Sequence, residues 1–542
     1  MAYAGYRSRR RLPPARSAGR VTGRDAPMHD NEVVTVGPAP LSPQDVVRVA
    51  RYGAAVRLTE DAFAEMAAAR SRVEELAEAA VPAYGISTGF GALATRHIPT
   101  ALRAKLQRSL IRSHAAGSGP PVETEVVRAM MVLRLRTLAT GHTGVRPRVA
   151  AALAALLNAH LTPVVHEYGS LGCSGDLAPL AHVALALMGE GRVRDARGAE
   201  LDAAEALRRA GIAPVELAAK EGLALINGTE GMLGMLVLAC HDLARLLTAA
   251  DIAAAMTVEA LLGTDRVFAA DLQALRPHPG QAASAANLRA LLADSAIMAS
   301  HRDGSCTRVQ DAYSLRCAPQ VAGAARDTLE HARTVAAREL AAAIDNPVVL
   351  PDGRVESNGN FHGAPIAYVL DFLAIAIADL AAMSERRTDR MLDVARSHGL
   401  PAFLADDPGV DSGHMIAQYT QAAIVAELRR LAVPASADTI PSSAMQEDHV
   451  SMGWAAARKL RRAVDGLTRV LAIEILTAAR ALDLRHPLAP APGTGAVVAA
   501  IRKAVPGPGP DRFLAPEIEQ VVRMVADGTL IRAAEAVVGP LR

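Results

Sequence analysis

The sequence predicts an all-α protein, an elongated bundle of long helices with few short strands, and three observations lead there. Hydrophobic residues make up 51% of the 542, yet aromatic ones only 3%, with a single tryptophan, Trp454. Such a core is filled mainly by Ala, Leu and Val, and the first two are strong helix formers. Several apolar stretches also run long without internal proline, at roughly 235–262, 366–398, 414–433 and 443–486. Helices of about 30 residues packed side by side make an elongated bundle. Strand patterns are scarce, and no repeat of fixed period appears, which argues against a solenoid. The length exceeds what one minimal core needs, so two or three layers or subdomains are expected.

Taken in order, residues 1–27 are rich in Arg, Gly and Pro and read as a disordered arm. They hold seven Arg and one Asp, so a net charge of +2 for the whole chain becomes −4 without them. A mildly acidic body carries no electrostatic footprint for nucleic acid. Met28 would make a natural start for the folded part; a functional tail and an over-extended start are equal alternatives. From Leu41 onward helical patterns dominate. The apolar half of 366–398 is hydrophobic nearly all round, which marks a buried helix. The clearest strand pair is a hairpin at 347–357, with Asp352-Gly353 as its turn. Short loops rich in Gly, Ser, Asn and Tyr fall at 84–93, 113–119, 169–182, 226–231, 309–320, 357–363 and 445–452. Loops held by a rigid frame are where sites usually lie.

Cys173, Cys240, Cys306 and Cys317 form no CxxC pair and no regular spacing. They suggest neither a disulfide framework nor a zinc site, and a reducing cytoplasm suits them. The Arg-rich start is followed by no apolar h-region, and the apolar stretches are interrupted by charge, Pro or His. Neither a secretory signal nor a membrane span is expected. GxGxxG, Walker A, HExxH and GxSxG sequences are absent. No motif calls for a metal or a dissociable cofactor.

Cys173-Ser174-Gly175 offers a different chemistry. Alone it is weak, since Gly117-Ser118-Gly119 and Asp411-Ser412-Gly413 share its Ser-Gly ending. Yet if the backbone nitrogen of Gly175 attacks the carbonyl carbon of residue 173, a five-membered ring forms and water leaves. Loss of the Ser174 hydroxyl as a second water gives an exocyclic methylidene, a strong Michael acceptor. Glycine is needed at 175 because a side chain would obstruct the tight turn. Residue 173 supplies only backbone atoms.

The surroundings carry a resemblance. GSLGCSGDLAPLAH (169–182) is similar to the ring-forming segment of the aromatic amino-acid ammonia-lyases and aminomutases that use methylidene-imidazolone (MIO). YGISTGFG, LINGTEG, QDAYSLRCAPQVAGA, Asp345-Asn346-Pro347, GNFHG, SERR (384–387) and QEDHVSM also resemble family motifs, in the family's order, from Tyr84 to Met452. The resemblance implies an enzyme that is a carbon–nitrogen lyase. It implies a smaller N-terminal domain carrying the MIO loop (28–230), a long-helix bundle (231–486) and a C-terminal helical segment (487–542). It also implies a homotetramer in which several chains share each site.

Within the family, Ser113-His114 resembles the pair at the side-chain pocket of histidine-specific members, and Glu447 points the same way. An imidazole offers both a donor and an acceptor to a His ring and a carboxylate, whereas a phenyl ring would leave Glu447 buried and unpaired. The implied reaction is L-histidine to trans-urocanate and ammonia. By resemblance Tyr313 is the base for the β-proton, and Tyr84 handles the amine proton or orients substrate. A free phenol titrates near 10, so such a base must be lowered or held as a partial phenolate. Arg316 clamps the carboxylate, Asn227 and Gln310 donate to the ring oxygen and the carboxylate, and Phe361 lines the pocket. If 313–316 is one helical turn, Tyr313 and Arg316 share a face. Three departures stand out: Cys173 where relatives have Ala, Met445 where histidine-specific ones have Asn, and Ser87 in the first motif. The rivals are a lyase or aminomutase for tyrosine or phenylalanine, and a catalytically silent helical scaffold.

Overall fold

The computed structural model describes residues 33–78, 85–89, 95–302, 306 and 309–542; the Arg-rich arm and Tyr84 lie outside the described residues. The frame is a set of long helices, Glu230–Ala260, Ala318–Leu340, Ala364–Leu392, Met415–Leu431 and Gly453–Asp483. The expected start near 443 for the last of these moves to Gly453. Ser443, Ala444, Met445 and Met452 all have positive φ there, which helical backbone does not allow. The 364–392 helix stops short of the expected 398 because the Asp393 carbonyl accepts the N–H groups of Arg396 and Ser397, turning the chain.

The 230–260 helix is the axis. Ala, Leu and Met cover its whole circumference, and it packs on the 124–139, 318–340, 364–392 and 453–483 helices. By length and composition it and the 364–392 helix could each cross a membrane; here they are core, with 78% and 56% of those stretches buried. Polar groups along its length, Asp251 and Thr257 among them, find partners on neighbouring elements. Asp251 accepts from Ser284 at 2.5 Å, Asn287 at 2.8 Å and Arg326 at 2.6 Å. Thr257 donates to Glu474 at 2.8 Å, and Glu474 is also forked by Arg387 at 2.5 and 2.8 Å. Buried charges without such partners would cost several kcal/mol each.

The bundle has two distinct ends. At the first, Thr229 donates to Glu339 at 2.7 Å, and a Cβ added at Gly363 would lie 2.5 Å from the Met232 sulfur. At the second, the Thr264 N–H donates to Asp311 at 2.7 Å, and Arg387 reaches the Ser314 carbonyl at 3.4 Å. The 31 residues of the axial helix set these ends about 46 Å apart at 1.5 Å per residue.

Around the first end sit shorter helices, among them Thr100–His114, Thr124–Ala139, Leu177–Leu187 and Glu221–Ile226. Small sheets tie them together: Val34–Val36 with Val56–Leu58, Ser118–Pro121 with His166–Tyr168, and Arg192–Arg194 between Thr162–Pro163 and Glu200–Asp202. The hairpin read at 347–357 forms as Val348–Val349 paired with Val355–Glu356, with Gly353 at φ +83° in its turn.

One buried group makes stability depend on pH. His414 lies against Thr477, Nδ1 to Oγ1 3.1 Å, and burial pushes its imidazole down to about 3. Arg480, Arg512 and Arg502 push the same way, and Asp511 opposes them. The folded state therefore favours neutral His414. Its contribution is complete above the unfolded value of about 6.5 and is lost as pH falls below it. Urea unfolding at pH 7 and pH 5 should show His414→Gln losing about 2 kcal/mol less than the wild type over that interval.

Candidate active site

The 169–176 loop is clamped from two sides. On one side Ser451 donates to the Gly172 carbonyl at 2.9 Å and the Met452 N–H to the Leu171 carbonyl at 2.9 Å. On the other the Asp176 N–H donates to the Gly228 carbonyl at 2.7 Å. Gly175 has φ +77°, and a Cβ there would sit 2.0 Å from that same Gly228 oxygen. Glycine is thus obligatory at 175 on two counts, backbone conformation and space. Behind the clamp, the buried Asp176 carboxylate accepts from Ser170 and from the Met232 N–H, both at 2.9 Å. Burial pushes it up to about 7.

Ser174 donates its hydroxyl to Asn227 Oδ1 at 2.7 Å, and Asn227 Nδ2 donates to the Asn346 carbonyl at 3.0 Å. Arg134, fully buried, donates to the Asn227 carbonyl at 3.2 Å and to Glu230 at 2.8 Å. A single guanidinium thus holds both the Asn227 carbonyl and the Glu230 carboxylate by charge-assisted bonds.

Cys173 points toward Glu447. Burial first, and then the Glu447 charge, push its thiol up to about 12, so it stays protonated. Glu447 accepts from Ser442 at 3.0 Å. His114 ends the 100–114 helix with Nδ1 3.0 Å from the Ser113 hydroxyl. Burial lowers its pKa while the Glu447 charge opposes that shift, so the two lie within electrostatic reach. Phe361 is half-buried in the 357–363 loop, between Asn358, bonded to Asn346, and Gly363, packed on Met232. Six residues read from the sequence, Cys173, Ser174, Gly175, Asn227, His114 and Glu447, meet here, with Phe361 beside them.

Gln310, Tyr313 and Arg316 do not join them in the same chain. Tyr313–Arg316 is a single helical turn at the second end of the bundle. The Arg316 guanidinium lies 4.7 Å from the Tyr313 ring centroid, so the shared face read from the spacing is real. Tyr313 is 70% exposed and Val309 99%, so this turn projects outward. The 230–260 helix, and the antiparallel 318–340 helix that follows Arg316, separate it from Ser174.

Sequence reasoning gave no role to Arg134, Glu230, Lys220, Asp345 or Ser442. A usable signal existed for the first four, since each is a charge set in an otherwise apolar or Gly-rich stretch. Ser442 carried none.

The profile of the aromatic amino acid lyase family matches residues 41–503. The histidine ammonia-lyase of Streptomyces avermitilis is 66% identical over 509 residues, 94% of this chain and 99% of that one. That of Gloeobacter violaceus is 50% identical over 502 residues, 92% of this chain and 97% of that one. Among solved structures, tyrosine aminomutase from Streptomyces globisporus superposes with a TM-score of 0.88 at 39% identity, covering 94% of this chain and 100% of that one. Histidine ammonia-lyase from Trypanosoma cruzi gives 0.86 at 38% identity, covering 94% and 96%. With a family profile and relatives of 50% identity or more matching across most of its length, the chain belongs to the aromatic amino acid lyase family.

Proposed function

We propose that this protein is a histidine ammonia-lyase, eliminating ammonia from L-histidine to give trans-urocanate. The observation that carries the substrate assignment is the convergence of His114 and Glu447 beside Cys173-Ser174-Gly175. A carboxylate and an imidazole beside that loop match the donor and acceptor of a substrate imidazole. The relatives named above favour the same substrate, while the tyrosine aminomutase likeness favours a tyrosine reading. Offered the amino acids separately, the protein should turn over histidine, and faster product from tyrosine would reverse the assignment.

The residues fit an MIO group at 173–175: the Gly175 turn leaves no room for a Cβ, and Ser174 is held through its hydroxyl. Once formed, that group supplies an electrophilic methylidene to the substrate. Asn227 would hold the ring oxygen, and Phe361 would wall the pocket. Glu447, fixed by Ser442, would orient the imidazole with His114. Tyr313 would take the β-proton, with Tyr84 near the amine, and Gln310 and Arg316 would bind the carboxylate.

The two groups lie at opposite ends of the axial helix, itself about 46 Å long, so this assignment requires a second copy, packed antiparallel, to bring its 310–316 turn to the 173–175 loop. Support comes from the outward projection of that turn and from Tyr368, Phe372 and Ile375, exposed at helical spacing on the 364–392 helix. A homotetramer with shared sites satisfies this geometry. A reducing cytoplasm suits its four free cysteines.

The intact mass should fall short of the unmodified chain by two waters, about 36 Da; Ser174→Ala should show no such loss, no turnover and an unchanged oligomer. Glu447→Gln should lower kcat/KM for histidine by about a hundredfold, as loss of a charged hydrogen bond to substrate predicts. Ser174→Ala and Tyr313→Phe chains, each inactive alone, should regain part of the activity when refolded together, because mixed assemblies contain sites with both native residues. No recovery would mean that each site is built from one chain.

A further inference from the structure

Lys220 and Asp345 form an ion pair of 2.5 Å in which both side chains are fully buried. Lys220 sits in left-handed backbone at φ +70° and also donates to the Thr143 carbonyl at 2.8 Å. Two well-packed apolar residues would serve stability as well as a buried pair, or better. A non-glycine residue held in that backbone region also marks a position fixed by its surroundings. Both features call for a purpose other than stability.

The bonds leading away from the pair supply one. The second Asp345 oxygen accepts the Asn346 N–H at 2.8 Å. The Asn346 side chain is held separately, by the Ser357 hydroxyl and the Asn358 N–H, each at 3.0 Å. The carbonyl of this residue, anchored at its N–H and its side chain, accepts Asn227 Nδ2 at 3.0 Å. A carbonyl can only accept, so it compels the Asn227 amide to turn its oxygen the other way, onto the Ser174 hydroxyl at 2.7 Å. Were the carbonyl to swing away, the amide could flip and Ser174 would face a donor instead.

We propose that the Lys220–Asp345 pair is a positioning device for ring formation: through Asn346 it fixes the Asn227 amide, and through that amide the hydroxyl of Ser174. The proposal rests on the reading of 173–175 as an MIO precursor. In that closure the Gly175 nitrogen bonds to the Cys173 carbonyl carbon. The carbonyl oxygen leaves as water with the amide protons of Ser174 and Gly175. The Ser174 α-hydrogen and β-hydroxyl leave as the second water, and nothing is oxidised or reduced. The second loss needs the Ser174 side chain held in one rotamer, which the Asn227 oxygen does.

Intact-mass measurement on the purified full-length protein tests this. The wild type should lack about 36 Da, two waters; if it does not, the ring reading itself falls. Lys220→Met and Asp345→Asn should leave most chains at their unmodified mass. Since a single variant strands a buried charge, the decisive protein is Lys220→Met/Asp345→Leu, which removes both charges at once. It should keep the wild-type oligomer and a cooperative thermal transition while most chains retain both waters. A folded double variant that loses the full mass would overturn the proposal and leave the ring reading intact. A double variant unable to fold would also overturn it, because the pair would then serve folding rather than position.

Discussion

Everything at the candidate site depends on one close approach, that of the Gly175 backbone to the Gly228 carbonyl. The Asp176 N–H bonds that carbonyl at 2.7 Å, and the space beside it is too small for a single methyl group. Two loops from distant parts of the sequence touch backbone to backbone there. The contact bends residues 173–175 into a tight turn and places Ser174 beside Asn227. Glycine on both strands is thus a geometric requirement: a Cβ at 175 would strike the Gly228 carbonyl, and one at 228 would strike Glu230 and Arg134.

Such a contact must be held from outside, since loops have little core of their own. Buried charge does this on both sides. Arg134 and Glu230 brace the 226–231 turn, while Asp345, paired with Lys220, holds the Asn346 N–H. Paired ions in a low-dielectric interior are directional and tolerate little displacement, which suits them to fixing geometry even where they add little net stability. Helix termini provide the platform. The axial helix begins at Glu230, within the 226–231 turn, and the 453–483 helix begins one residue after Met452, which bonds the 169–176 loop.

The same long helices that support this end carry Tyr313 and Arg316 to the other. A bundle of helices of about 30 residues is necessarily some 45 Å long, so rigidity and a compact single-chain site are incompatible. In the proposed assembly, association of copies would bring the two ends together; within one chain Val309 and Tyr313 stay exposed.

The sequence by itself determined the helical class, the position of the long helices to within a few residues at most ends, the hairpin at 347–357 and the loops that bear chemistry. These are local properties. Ala and Leu periodicity needs no partner to be read, and the Asp352-Gly353 turn announces itself in the residues, whereas Ser174-Gly175 stands out only with the motifs around it. The late start of the 453–483 helix was not legible, because Ala444 and Met445 have good helix propensity and only tertiary contacts hold them at positive φ. Nor were the pairings of Lys220 with Asp345 and of Arg134 with Glu230, which join residues 125 and 96 apart in the chain. Which site residues share one end of the bundle was likewise decided by the fold alone. Spacing along the chain says which residues share a helical turn, but the distance between Ser174 and Tyr313 is set by how long, antiparallel helices pack, and that is a property of the whole structure.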